Sequence, residues 1–581
     1  MRVRISFKTG RFNLGRLFQG ACRLLFWLNR TRVRNLTAMM PLRCLTTRLY
    51  ALLALTLFTG QPRTSAGSVR AEHVVVVVWD GMRPDFIDPR YTPTLCQLAT
   101  NGVFFNHHHP VYISTTEANA AAIATGANPD HNGIIANKEY RPLLNWLEPV
   151  ATDSVDAIRR GDVLSSGRYL TVPTLAEILQ RTGNATVVAG SKSVVLLQDR
   201  ALQRSTPGAL NSLLLYSGHT IPSALLEPII KANGRTFPTN ASVGPRDAWT
   251  VQALTETLWK PGVPKFSLLW LIDPDSAQHG TGPGSANSLK AIRSCDTNLA
   301  LVLQALEARQ VRQKTDVFVV SDHGFSTVQR GVDVVEVLRK AGFPAVKKLE
   351  DPEPGNILVV SLGGSELFYV LGHDENIIRR LVQFLQGTDF AGVIFTRKAM
   401  PGTFSLDQVR LAAGQNQPDI VVSLRWSSET NNFGAQGTIV ADRAKKGTGI
   451  HGSLSRYDMH NSLVAAGPDF RPGYWDDLPS SNADLAPTIL WILEKKRAKT
   501  MDGRILTEAL TDARPPTTTP RQKILETSCD AGPQRWRQYL RVTAFEGRDY
   551  FDEGNGEASV DSSWNPPCRS DNQDYGLRAS R

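Results

Sequence analysis

No apolar run of eighteen residues occurs anywhere in the sequence, which argues against a conventional membrane span. No stretch repeats with the period of a solenoid or a propeller. Acid is missing from one end: residues 1–66 carry twelve Lys and Arg and no Asp or Glu. Setting those twelve aside leaves 53 basic residues against 54 acidic ones, so the formal +11 belongs to the leader and the body is near neutral. Nucleic-acid binding through a basic patch therefore has no support. Cysteine is sparse, six in 581 residues, and Cys22 and Cys44 fall in the leader. Cys96, Cys295, Cys529 and Cys568 remain, an even number that permits disulfides in an exported chain. Cys529–Cys568 is the favoured pair because both lie in the last, loop-rich stretch, whereas Cys96 and Cys295 sit in helix-like segments that equally suit buried thiols. The 41% hydrophobic and 20% charged content is that of a globular protein and excludes wholesale disorder, collagen and coiled coil.

What is present begins with the leader. Met39 and Met40 precede Arg43 and Arg48, an apolar stretch Leu49–Phe58, Gly60, Pro62 and the small residues Thr64-Ser65-Ala66. A basic segment, a short apolar core and a small-residue cleavage site form an export signal. The expectation is a periplasmic or secreted protein that starts at Met39 or Met40 and is cut near Ala66; a mitochondrial-type presequence over 1–38 is the alternative. Beyond the leader, apolar β-branched runs (His73–Asp80, Ala185–Ala189, Phe266–Asp273, Asp316–Asp322, Asn461–Gly467) alternate with helical patterns such as Thr92–Thr100 and Ser288–Ala308. Continuous apolar strands separated by helices predict an α/β fold, a large mostly parallel central sheet with helices on both faces. The expected organisation is a catalytic domain over 67–515 with insertions at about 138–265 and 326–450, then a linker and a short β-rich tail over 516–581.

Several strands end in acids: Asp80 closes the first run, Asp273 and Asp275 the third, and Asp322 the fourth. The crevice beyond the carboxyl ends of parallel strands is where an open α/β sheet binds its ligand. Histidines accompany them. Asp275 and His279 share one side of a helical turn, His323 follows Asp322, and His451 lies in the glycine-rich Gly447-Thr-Gly-Ile-His451-Gly452. Carboxylates and imidazoles without thiolates suit Zn²⁺ or a similar metal, and this many ligands suffice for two ions clamping an in-line displacement at phosphorus. Ser114, Thr115 and Thr116 precede an alanine-rich helix, whose N-terminus favours an oxyanion and a phosphate. At each position helix capping, an ordinary turn or packing is the competing explanation. The run His107-His108-His109 matches no ligand position, and Asp273 reads as structural.

The segments Trp79-Asp80-Gly81-Met-Arg-Pro-Asp85, Pro110–Asn137, Pro274-Asp275-Ser-Ala-Gln-His279, Ser321-Asp322-His323-Gly324, His451-Gly452 and Ala483–Thr488 occur together and in order. In this the chain resembles the type I phosphodiesterase/nucleotide pyrophosphatase family of the alkaline phosphatase superfamily. The resemblance implies an alkaline-phosphatase-like fold and a centre of two divalent metal ions, Zn²⁺ first. It implies that Asp275, His279 and His451 hold one ion, and that Asp80, Asp322, His323 and the Thr116 oxygen hold the other. It further implies Thr116 as nucleophile through a phosphothreonine intermediate, and Asn137 as a donor to a phosphate oxygen. The implied substrate is a small-molecule phosphate ester.

Departures from the family pattern shape the substrate expectation. Nucleotide-cleaving members carry an aromatic just after the nucleophile, and here that place is Glu117. Trp270 stands where a second aromatic wall is expected. Lys192 and Arg200 are candidates for the phosphate-contacting cation of relatives that cleave monoesters and phosphonates. Phosphodiesterase or nucleotide pyrophosphatase action is the first expectation, with phosphomonoesterase or phosphonate hydrolase as alternative. A catalytically silent binding protein is the alternative of another class. A sulfatase would need a C/S-x-P-x-R motif, which is absent near residue 116.

Overall fold

Five adjacent parallel strands sit at the centre of a nine-stranded sheet in the computed structural model, which describes residues 70–200, 212–531 and 534–559. In chain order the strands are β1 (His73–Trp79), β2 (Val103–His109), β3 (Thr186–Gly190), β4 (Ser212–Tyr216), β5 (His219–Ile221), β6 (Phe266–Leu271), β7 (Thr315–Val320), β8 (Leu463–Ala466) and β9 (Tyr474–Ser481). Their spatial order is β9-β2-β8-β7-β1-β6-β3-β4-β5, and only β8 and β5 run against the rest. The run HVVVVVW makes β1 a central strand because β-branched residues fit a pleated surface buried on both sides. Val74, Val76 and Val78 pack into one core with helices α2 (Thr116–Thr125) and α5 (Leu485–Ile492). Val75, Val77 and Trp79 pack on the other face with α1 (Pro93–Thr100) and α4 (Ala286–Ala308). Each fully buried valine contributes about 1.5–3 kcal/mol relative to exposure, so this alternation fixes the register.

The leader and Cys568, the second member of the favoured pair, lie outside the described residues, which contain no helix long and apolar enough to cross a membrane. The stretch 138–265, expected as an insertion, supplies β3, β4 and β5 to the central sheet. Between β7 and β8 the chain builds a six-stranded sheet and a four-stranded sheet, whose members include 357–361, 365–370, 391–396 and 420–424. The final described stretch is a three-stranded antiparallel sheet, β10 (Arg521–Ala531), β11 (Gln534–Phe545) and β12 (Arg548–Ser559). It packs on the six-stranded sheet through Leu540, Val542 and Phe551, and Gln538 bonds both the N–H and the C=O of Ile394.

Candidate active site

Strands β7, β1, β6 and β3 are neighbours, so their carboxyl ends deliver Asp322, Asp80, Asp275 and Lys192 to one crevice. The turn after Asp80 needs Gly81, whose φ is +71° and where a Cβ would stand 2.9 Å from the Phe325 ring. Asp275 opens the short helix α3 (Asp275–Thr281), which carries His279 one turn on. Thr116 is the first residue of α2, every residue of which is buried; its alanines let that helix lie close to the sheet.

The polar geometry suits cations. His323, His451 and His279 each direct Nδ1 to a backbone carbonyl, of Gly324 (2.9 Å), Ser114 (2.9 Å) and Gly449 (3.1 Å). A carbonyl only accepts, so Nδ1 carries the proton and the Nε2 lone pair faces the crevice. Those nitrogens meet carboxylate oxygens: His279 Nε2 lies 3.2 Å and His451 Nε2 3.6 Å from Asp275 Oδ1. His323 Nε2 lies 3.3 Å from Asp322 Oδ2 and 3.5 Å from Asp80 Oδ1. These same oxygens, Asp80 Oδ1, Asp275 Oδ1 and Asp322 Oδ2, are buried without a hydrogen-bond partner. Buried orphaned carboxylate oxygens are costly unless something positive satisfies them. Ligand atoms of Asp275, His323 and His451 cluster within 4.8 Å of one another, as do those of Asp80, Asp322 and His323. The donor set therefore fits two divalent cations, with His323 between them.

The electrostatics agree. Burial, with His323 beside it, keeps His451 well below the usual imidazole range, and burial lowers His323. Both are neutral, as metal ligands must be. Burial and the neighbouring Asp80 push the Asp322 carboxyl well up, a repulsion that a cation would remove. Burial also raises Asp275, but His279 and Lys192 outweigh it and hold this carboxyl below its ordinary value, while Asp275 outweighs burial at His279 and raises that imidazole, an ion pair that a bound cation would replace.

Thr116 Oγ1 lies 3.2 Å from His323 Nε2, and Lys192 Nζ donates to it over 3.2 Å. Lys192 also donates to Asp80 Oδ2 at 3.0 Å. Burial works against its charge, but Asp80, Asp275, Glu117 and Asp322 outweigh burial and keep it an ammonium. Asn137 accepts from the backbone N–H of Glu117 at 3.0 Å. The Glu117 carboxyl is buried and pushed up to about 8 by burial and by Asp153.

The remaining candidates are placed otherwise. Arg200 is not at the site: its guanidinium is spent on Asp162 and on the carbonyls of Gly167 and Leu170, so it braces the fold. Trp270 is fully buried and donates Nε1 to Asp80 Oδ2 at 2.9 Å, so it orients a carboxylate and is no substrate wall. Asp273 is buried, with its N–H on Asp247 and its carbonyl accepting from Cys295, in keeping with a structural part. His108 bonds Ser480 Oγ and Asn482 Oδ1, and Asn482 in turn donates to the Asp322 carbonyl. Nothing in spacing singled out Asn482 or Asp247, which act through contacts with residues remote in sequence. Phe325, whose ring lies 4.9 Å from that of His279 and 5.3 Å from that of His451, was equally silent.

Comparison with known proteins identifies the family and the fold. A family model described as type I phosphodiesterase / nucleotide pyrophosphatase matches residues 74–453, a span containing Asp80 through His451. Mouse ectonucleotide pyrophosphatase/phosphodiesterase family member 3 is 23% identical over 272 residues, 46% of this chain and 26% of the relative. Venom phosphodiesterase 2 of Crotalus adamanteus is 23% identical over 257 residues, 44% of this chain and 27% of the relative. The chain thus spans about a quarter of the length of these curated relatives. Among solved structures, murine ectonucleotide pyrophosphatase/phosphodiesterase 5 superposes with a TM-score of 0.54 at 18% identity, covering 76% of this chain and all of that one. An inactive variant of the same murine protein, in complex with AMP, gives 0.53 at 17% identity, with the same 76% and 100% coverage. The alkaline-phosphatase-like fold is shared.

Proposed function

This chain belongs to the type I phosphodiesterase/nucleotide pyrophosphatase family, and from that premise we propose that it is an exported hydrolase of phosphoric esters working through Thr116. One observation carries the reading: orphaned oxygens of Asp80, Asp275 and Asp322 face imidazole nitrogens whose tautomer is fixed, beside a threonine hydroxyl. Asp275, His279 and His451 would hold one divalent cation; Asp80, Asp322, His323 and the Thr116 oxygen would hold the other. When bound, the ions, Zn²⁺ by donor chemistry, supply positive charge to the transferring phosphoryl group and lower the pKa of the hydroxyl.

The chain's own residues do the rest. Thr116 Oγ1 gives its proton to solvent and attacks phosphorus; the Oγ1–P bond forms as the bond to the ester oxygen breaks, that oxygen leaves as the alcohol by taking a proton from water, and water later cleaves the phosphothreonine to restore the Thr116 hydroxyl. Lys192 Nζ donates to Oγ1 and so favours its alkoxide. The N-terminus of α2 adds its dipole at the same place. Asn137 spends its oxygen on the Glu117 N–H, which leaves its Nδ2 as donor to a phosphate oxygen. Phosphodiester hydrolysis is the first reading by family. Lys192 at bonding distance from the nucleophile favours a second, a phosphomonoester or phosphonate, because an added cation rewards a dianion.

Thr116→Ala tests the reading. It is expected to abolish turnover of p-nitrophenyl monoester and diester phosphates while metal content by mass spectrometry stays near two ions per chain; appreciable residual rate would move the nucleophile elsewhere.

A further inference from the structure

Lys192, Asp153, Ser193 and Asn137 are partly accessible, whereas Asp80, Thr116 and Asp322 are buried. The stretch 137–193 thus forms one accessible rim beside Thr116, and the partly exposed His279 forms another. On the first of these sides stands a carboxyl which the hydrolytic chemistry does not use. Glu117 is only 5% exposed, and its Oε2 is buried with no hydrogen-bond partner. Its charged neighbours are Asp153 and Asp80, which repel it, and Lys192, which attracts it. The Lys192 ammonium is already engaged with Asp80 Oδ2 and Thr116 Oγ1. Among the described residues Asp153 receives the hydroxyl of Ser193. A buried carboxyl with no partner beside the nucleophile carries a large desolvation cost in its charged form, which a cation removes more fully than a neutral hydroxyl does.

We propose that Glu117 and Asp153 form an acidic subsite beside Thr116 that receives a cationic amino group carried by the ester, so that the enzyme selects phosphate esters of small amino alcohols. The proposal rests on Thr116 being the site of phosphoryl transfer. The phosphoryl group lies against Thr116 and Lys192, and the ammonium of the substrate meets Glu117 Oε2 and Asp153. Lys192 and the substrate ammonium then divide the work: one neutralises the phosphate side, the other the carboxylate pair. A nucleobase stacked there would bring a neutral ring and no cation to Glu117, and is disfavoured.

The test compares two chromogenic diesters of equal size, p-nitrophenyl 2-aminoethyl phosphate and p-nitrophenyl propyl phosphate, on the metal-loaded full chain. The aminoethyl ester is expected to have a kcat/KM higher by on the order of tenfold or more, the usual return of a desolvated charge pair. In Glu117→Gln that ratio falls to near one, and in Asp153→Asn it falls part of the way; a general loss of activity cancels in the ratio. If Glu117→Gln fails to fold by circular dichroism, Asp153→Asn decides. Calorimetry of O-phosphoethanolamine against propyl phosphate on metal-loaded Thr116→Ala protein reads the same preference without turnover. If neither diester is hydrolysed but calorimetry keeps the preference, the hydrolytic reading fails and the subsite stands. Equal binding and equal rates in the unmutated subsite, a ratio unchanged in Glu117→Gln, or a third metal ion lost in that variant would overturn the proposal.

Discussion

Two groups of aspartate and histidine stand out among the described residues, and they differ in burial and in how their imidazoles are held. At the strand ends, Asp80, Asp275, Asp322, His323 and His451 are buried, and the histidines are tied through Nδ1 to backbone carbonyls. At the surface, Asp130, His131 and Asp502 also bring ligand atoms within 4.8 Å of one another. There His131 is half exposed, and its Nδ1 bonds both oxygens of Asp502, at 2.8 and 2.9 Å. Asp502 further accepts from the Asn128 N–H, and Arg410 stands 3.9 Å from Asp130. The surface group answers its imidazole with both oxygens of Asp502 and leaves one carboxylate oxygen, Asp130 Oδ1, without a hydrogen-bond partner among the described residues; the buried group leaves three. A metal centre is marked by donors held where nothing in the protein can answer them, and ligand count alone does not mark it.

That contrast breaks if the two groups respond alike to mutation. His451→Ala is expected to cut turnover on the order of 10³-fold or more and to lower bound metal measured by mass spectrometry. His131→Ala should change turnover less than about twofold and stability by roughly 0.5 kcal/mol or less, the usual range for exposed pairs. Comparable metal loss in both variants would void the distinction.

A smaller effect sharpens the picture inside the buried group. Lys192→Ala removes the cation between Asp80 and Thr116. Monoester kcat/KM is expected to fall on the order of 10²-fold and diester kcat/KM by about tenfold, since the dianion gains more from a fixed donor. Equal losses on the two substrates would reduce Lys192 to a support for Asp80.

The same contrast explains what the sequence could disclose. Asp80, Asp275, Asp322 and Lys192 follow apolar strands, and strand order alone gathers their ends. Trp270 and Arg200 could not be placed that way. Trp270 lies inside β6, so its side chain points into the sheet's own packing, and only coordinates show Nε1 reaching Asp80. Arg200 lies eight residues beyond Lys192, on the far side of a 3₁₀ turn over Ser193–Leu197, which carries it to Asp162. Supports such as Asn482 and Asp247 are invisible in sequence because each joins positions brought together only by the finished sheet.

His108 tests how far burial alone governs these groups, since it touches no candidate ligand side chain. It is fully buried between Ser480 and Asn482, and burial pushes its pKa down to about 3 from an ordinary 6.5. The folded state refuses a proton that the unfolded chain takes up near its ordinary value. Its contribution is therefore complete above pH 6.5 and is lost as pH falls from there toward 3. One such group tilts stability by about 1.4 kcal/mol per pH unit inside that window. His460, pushed down to about 4 by burial, adds a second tilt over the upper part of it. Denaturant unfolding of the metal-free protein between these pH values should show His108→Gln with a shallower loss of stability than the parent chain, by about one proton's worth of slope. Parallel pH curves for the two proteins would mean that His108 takes up its proton in the folded state as freely as a surface histidine, and that the strand-end network holding Asp322 is open to water.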